Sequence, residues 1–387
     1  MNLLERKTLP AFVDCVSDPY ESFRRLVLSF PAAHNAQFVL FNASTSASEH
    51  EGISAAGVSA ASRRLTPALD AEALILGRTI SAAKLPISPK GIVSPVVISR
   101  ACLQLLAMRK TLVECGVFSA AQVPALRISE QVAACPSTGA AFSLEHVQNL
   151  FEQGLLLGEK LAAENSHLVL AECVPGGTTT AFAVLTALGF SVNGCLSSSL
   201  PSCNHLARFA LVQEGLSKSV WSAGEMRDNP LLALAAVGDA MQAVVAGVAI
   251  AACQKVPVFL AGGSQMLTIW AIVRELAQKR SQPSRLENIM VLSTKWVSDD
   301  PSASVRELAK MLAAPFAVAS PNFLKSRHAG LRAYEDFNVK EGVGAGASMA
   351  LCHAAGNSAE SIMQAIDACY DELHATNSEP TLSQFMA

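Results

Sequence analysis

The stretch His167–Thr180, HLVLAECVPGGTTT, decides how the rest of the chain is read. His167–Ala171 is a short apolar run that ends in a Gly/Thr-rich loop, the pattern of a buried strand reaching a turn. Thr180–Leu188 then reads as a helix closed by Gly189. The same order recurs downstream. Leu231–Val237 (LLALAAV) precedes Gly238-Asp239 and an Ala-rich helix. Val256–Leu260 (VPVFL) precedes Gly262-Gly263 and a helix from about Gln265 to Lys279. Asn288–Leu292 (NIMVL) precedes Ser293-Thr294 and a helix after Pro301. Four strand–loop–helix units in succession predict an α/β fold, with a parallel sheet covered on both faces.

Outward from this block, Ala36–Asn42 (AQFVLFN) reads as a further strand. Ala43–Ser62 is rich in Ser, Ala and Gly and reads as a loop, and Pro86–Pro95 as a connection. Ser143–Glu164 is a helix opened by Ser143. After residue 320 the pattern is irregular to about 340. Asn357–Leu373 is an amphipathic helix with Ile362, Ile366, Cys369, Tyr370 and Leu373 on one face. Asn357 and Glu360 are spaced as a capping box at its start.

Composition bounds the function. Of 387 residues, 51% are apolar and 16% charged, which excludes a disordered chain. Net charge is −3, so no basic excess suits a nucleic-acid backbone. The mean hydropathy of +0.33 raises the question of a membrane. The longest apolar run, Ala240–Cys253, is Ala/Gly-rich and contains Gln242. It is shorter than the roughly 20 residues a spanning helix needs, and it reads as a buried helix. The N-terminus, MNLLERKTLP, has charges where a signal peptide has its apolar stretch. No two of the ten cysteines form a C-x-x-C pair, so they read as reduced structural thiols of a cytoplasmic protein.

In open parallel sheets, ligands bind beyond the carboxyl ends of the strands. Four such ends carry small or polar residues: Glu172–Thr180, Gly238-Asp239, Gly262–Gln265 and Ser293–Lys295. Gly-Gly-Thr-Thr-Thr ahead of a helix fits an anion cradle, and equally a tight turn with Thr caps. It is not a P-loop, because the G-x-x-x-x-G-K frame is missing. Glu172 closes an apolar run, where a carboxylate is costly unless paired or working. Lys340–Ala347 (KEGVGAGA) has dinucleotide-loop glycines. It lacks the βαβ unit that such a loop serves, so Glu341 remains an acid in a glycine loop. His205 reads as a capping or packing residue, and Asp299-Asp300 before Pro301 as a helix N-terminus. No metal constellation stands out.

Several motifs together carry a resemblance. AECVPGGTTTAFAVLTALGF, SSSLPSCNH, VGDAMQAVVAGVAIAA, FLAGGSQML, STKWVSDDP and YEDFNVKEGVGAGA, with EGISAAGVS and SPVVISRA earlier, resemble the archaeal and cyanobacterial branch of the CobT family. These are nicotinate-nucleotide–dimethylbenzimidazole phosphoribosyltransferases of cobalamin assembly. The resemblance implies a Rossmann-like parallel sheet in an α/β/α sandwich, with a large nucleotide-binding domain over 30–340. A smaller helical domain would form from 1–29 and 341–387. It implies a homodimer and a reaction with no metal or other cofactor. The substrates would be nicotinate mononucleotide and a lower-ligand base, either 5,6-dimethylbenzimidazole or adenine. Nucleic acid and membrane are not among the partners. Glu341 matches the family's general base and Glu172 its second acid. Gly176, Gly177, Thr178 and Thr179 would bind the phosphoribosyl group. Gly262, Gly263, Ser264 and Gln265 form a second candidate cradle, and Lys295 a candidate phosphate ligand. Lys295 stands where Arg is usual, which keeps charge but loses bidentate geometry. The base-pocket residues of the bacterial enzymes have no match here. A binding relative without catalysis is the alternative, and the two retained glutamates argue against it.

Overall fold

The computed structural model describes residues 12–16, 25–27, 29–30, 35–49, 59–81, 90–279 and 284–376. The N-terminal stretch 1–10, EGISAAGV (51–58) and residues 86–89 of the expected connection lie outside them.

Strands β1 (Val13–Cys15), β2 (Ala36–Asn42), β3 (Arg109–Cys115), β4 (Leu126–Ser129), β5 (His167–Cys173), β6 (Val258–Ala261), β7 (Ile289–Thr294) and β8 (Phe316–Ala319) form one sheet. Their spatial order is β1-β8-β7-β6-β5-β2-β3-β4. Neighbours are parallel except β1 and β8. Helices α1 (Thr66–Leu76), α2 (Val96–Leu105), α3 (Leu144–Glu164), α4 (Gly177–Ala187), α5 (Pro230–Val237), α6 (Ala240–Ala252), α7 (Ser264–Ala277), α8 (Ala345–Ala354) and α9 (Ala359–Thr376) supply most of its cover. Side chains alternate between two cores, as the two-residue period of a strand dictates. Val39, Phe41, Leu168, Leu170 and Leu260 meet α3–α7. Phe38, Leu40, Val169, Ala171 and Phe259 meet α1, α2, α8 and α9. The α/β expectation is met.

One expected strand is a helix. Leu231–Val237 lies within α5, whose first residue is Pro230 and whose cap is the Asn229 side chain accepting from Leu231 N. The run is almost wholly buried, so every position is apolar and no period distinguishes helix from strand. Three of the four expected units therefore hold strands, while β1, β3, β4 and β8 complete the sheet. At α9 the Ser358 hydroxyl accepts from Ser361 N at 3.0 Å. Asn357, expected in that role, instead donates to Cys352 O at 3.0 Å. The buried face Ile362, Ile366, Cys369 and Leu373 is as expected, and Ser143 caps α3.

The terminal segments build onto this sheet. β1 pairs with β8, α8 lies over β6, β7 and β8, and α9 packs on α2. The long apolar run is α6, buried along nearly its whole length. Its backbone lies against that of α3: a methyl at Gly154 would sit 2.3 Å from Val244 O. Among the described residues no helix is long and apolar enough to cross a membrane.

From β2 the chain goes on to β3 and β4 on one side, and from β5 to β6, β7 and β8 on the other. The direction of winding reverses between β2 and β5, which is where open α/β sheets offer a crevice.

Candidate active site

Glu172 occupies that crevice. It is the sixth residue of β5, paired with Phe41 of β2. Its carbonyl accepts from Val343 N at 3.0 Å, and its carboxylate takes Val174 N at 3.0 Å. Burial, then the charges of Asp239 and Glu341, push its carboxyl up to about 8. Like charges in one low-dielectric site cannot all ionise cheaply. Asp239 caps α6 and accepts from Gln242 N at 3.1 Å, Thr180 Oγ1 at 2.5 Å and Gln265 Nε2 at 2.8 Å. Burial raises its carboxyl too, against those donors.

The Gly/Thr loop follows β5 directly. Gly176 takes φ +86° at the start of α4, where a methyl would sit 2.8 Å from Ser48 N. No side chain caps α4; in its first turn Gly177 N donates to Val174 O at 2.8 Å and Thr179 N to Gly176 O at 2.9 Å, so what the helix offers an anion is the positive end of its dipole. Thr178 is partly exposed, while Thr179 and Thr180 are buried. Gly262 also borders the site: a methyl there would lie 3.6 Å from Glu172 Oε1. Gly263 opens α7.

The remaining second-cradle residues face inward. Ser264 Oγ donates to Ser197 O at 3.0 Å. Gln265 is buried, bonded to Asp239 and Thr180 and accepting from Gln242 Nε2 at 2.8 Å. Lys295 Nζ pairs with Glu335 at 2.9 Å. All three side chains thus bond to the protein itself.

Glu341 arrives from the far end of the sequence. It lies ahead of α8, whose N-cap Gly344 is left-handed at φ +70°. Its carboxylate accepts from Gly342 N at 3.2 Å, Gly346 N at 3.2 Å and Ser293 Oγ at 3.2 Å. Burial pushes its carboxyl up to about 7, opposed by the Gly342, Gly346 and Ala345 N–H groups and the Ser293 hydroxyl. Gly346 is required for this seat. A methyl there would fall 2.0 Å from the Ser293 carbonyl carbon, so only glycine lets α8 start against β7. The Val343–Glu172 backbone bond ties this loop to the end of β5.

Some participants were not picked out by sequence reading. Asp239 was noted only as part of a strand end, although Asp239-x-x-Gln242 is a readable capping box. Asp70 of α1 carries no sequence signal. Burial pushes it up to about 6, opposed by Ser94 and Cys173. Asp300 does not begin a helix as expected. It sits in a turn and pairs with buried Lys340 at 2.5 Å. Asn204, not His205, caps the helix His205–Lys218, and His205 Nε2 meets Ser302 O at 2.6 Å. No group of three or more His, Cys, Asp or Glu among the described residues could hold a metal ion.

With this geometry in place, relatives can be compared. The chain is 44% identical to the UPF0284 protein of Gloeobacter violaceus over 317 residues, 82% of each chain. It is 42% identical to a UPF0284 protein of Cyanothece over 296 residues, 76% of this chain and 80% of that one. The chain belongs to the UPF0284 family. Residues 96–281 of this UPF0284 protein match a family model described as Phosphoribosyltransferase. Its fold is that of CobT: the Thermus thermophilus CobT structure superposes with a TM-score of 0.59 at 16% identity, covering 90% of this chain and 92% of that one. A second Thermus structure, titled as nicotinate-nucleotide-dimethylbenzimidazole phosphoribosyltransferase, gives 0.57 at 16% identity over 93% and 92%.

Proposed function

We propose that this UPF0284 protein transfers the phosphoribosyl group of nicotinate mononucleotide to a lower-ligand base in cobamide assembly. The base is 5,6-dimethylbenzimidazole or a purine such as adenine, and the products are nicotinate and the α-riboside phosphate. The observation that carries this reading is the convergence of Glu341 and Glu172 beside the uncapped start of α4. The two carboxyls have values pushed up to about 7 and about 8.

The chemistry needs little from an acid. The pyridinium ring leaves C1′ with the bonding pair, which neutralises its ring nitrogen, and departs as the nicotinate anion. A ring nitrogen of the incoming base attacks C1′ with its lone pair, and the proton on that heterocycle must go to an acceptor. Glu341 takes it: a carboxyl near 7 is half-ionised at neutral pH, the condition for efficient proton transfer. Its N–H and hydroxyl donors hold the acceptor oxygens in place. Glu172, the more basic of the pair, is mostly protonated at neutral pH. In that form it can donate a hydrogen bond to a ribose oxygen. The Gly176–Thr179 turn receives the phosphate at the positive end of the α4 dipole. Gly262 leaves room beside Glu172, while Gly263, Ser264, Gln265 and Lys295 shape the site from behind. A homodimer belongs to the same proposal and is read by sedimentation.

The test supplies nicotinate mononucleotide with a panel of benzimidazoles and purines, and follows nicotinate and riboside phosphate by mass spectrometry. Base-dependent product supports the reading. Tight nucleotide binding with no product from any base would replace it with a binding role.

A further inference from the structure

Beside Glu341 stands a cation that the proposed chemistry leaves unused. Lys340 is 1% exposed. Its ammonium donates to Asp300 Oδ2 at 2.5 Å, Ser198 O at 2.8 Å and Leu200 O at 2.6 Å. These three acceptors match the three donors of an ammonium. Asp300 is held as fully. It also accepts from Ser197 Oγ at 2.6 Å, Ser302 N at 2.9 Å and Ser302 Oγ at 2.8 Å. Burial would raise its carboxyl, but Lys340, Ser197 and Ser302 outweigh it and hold the group below its ordinary value. Three loops, 197–203, 300–302 and 338–341, are thereby knitted together.

A buried ion pair seldom adds stability over apolar packing of the same volume, and its best-attested use is to specify one arrangement. The backbone beside it calls for such a device. Val339 and Lys340 have φ of +67° and +70°. The left-handed region is disfavoured for residues with a Cβ, most of all for a β-branched one. Such a turn persists only where its surroundings over-determine it. Here Thr294 Oγ1 also grips the Lys340 carbonyl at 2.8 Å.

We propose that Lys340 is a positioning residue: its ion pair with Asp300 pins the left-handed turn that aims the Glu341 carboxylate into the site. This rests on the reading of Glu341 as proton acceptor. The pair would act through geometry alone, touching neither nucleotide nor base.

The decisive variant is Lys340→Met with Asp300→Asn, which removes both charges and leaves no lone buried ion. Circular dichroism and a thermal melt establish that it folds. Turnover is expected to fall about 100-fold, the scale of a misplaced catalytic group. KM for nicotinate mononucleotide should move less than about threefold, since the Gly176–Thr179 turn is untouched. The acid limb of kcat should move down from near 7, because a released Glu341 gains water and approaches an ordinary carboxylate. A folded double variant with full turnover and an unmoved limb overturns the proposal. If that variant does not fold, Thr294→Val carries the test, since it removes only the grip on the Lys340 carbonyl. A loss of about threefold or more with the same downward shift supports the inference, and no change overturns it. Glu341→Gln separates the two layers. If it is inactive while the double variant is fully active, only the positioning role falls. If it is fully active, the proton-acceptor reading falls and takes this inference with it.

Discussion

Glu172 and Glu341 reach the same site by opposite routes. Glu172 ends a regular strand, takes one backbone N–H, and is crowded by the charges of Asp239 and Glu341. Glu341 sits in a left-handed loop and is fed by several N–H groups and a hydroxyl from two elements. Both are raised by burial, yet only Glu341 has enough donors to bring it back to about 7. One acid is kept neutral by its neighbours, and the other is kept ready to accept by its donors. Interacting carboxyls lose protons as a pair, in two macroscopic steps, and the contrast sets the order of those steps.

The sharpest break is Glu341→Gln. Turnover should fall by roughly 1,000-fold, within the range for a lost general base, while nicotinate mononucleotide binding by calorimetry changes less than about threefold. If Glu341→Gln and Glu172→Gln lose activity equally, the division of labour is wrong. Glu172→Gln should cost less, about tenfold, because the amide resembles the protonated form that dominates at neutral pH.

The order of titration gives an asymmetric test. In wild-type protein kcat should rise with pH through about 7 as Glu341 ionises. Glu172→Gln should leave that limb in place, since Glu172 is still neutral when Glu341 titrates. Glu341→Gln should lower the Glu172 value from about 8 by removing a neighbouring charge. Carboxyl carbon NMR of labelled protein reads both, and a limb that moves with Glu172→Gln would reverse the order.

A stability effect follows from the same shift. The ordinary Glu value is 4.5 and the folded one about 8, so the folded state holds more protons between them. The contribution is whole below about 4.5 and is lost as pH rises through 8. At pH 9, Glu172→Gln should therefore melt higher than wild type by roughly 5 °C, and the two should converge near pH 5. Lys295→Met should do least. Its partner is Glu335 in a partly exposed pair, and nucleotide affinity should change less than about twofold, the scale of such pairs.

The sheet's centre was legible because its strands run into short polar or glycine-bearing loops. HLVLAEC, VFLA and IMVLST combine short apolar runs with Gly or Ser-Thr stops. Leu231–Val237 looked identical without the period that only an exposed face creates, and Pro230 was the overlooked clue. At the site, Glu172 was visible as an acid closing an apolar run. Glu341 was marked out by family resemblance, because its seat depends on Ser293 of β7 and on glycine contact with that strand. Lys340 was hidden altogether: a lysine at a left-handed position contradicts local preference, and its partner is 40 residues away.

Helix α6 gives the site a time scale as well as a shape. It is buried along nearly its whole length, lies backbone to backbone on α3, and begins at Asp239. Amides in such a segment exchange with solvent only when the whole domain opens. The carboxylate that raises Glu172 is thus moored to a segment that opens only with the domain.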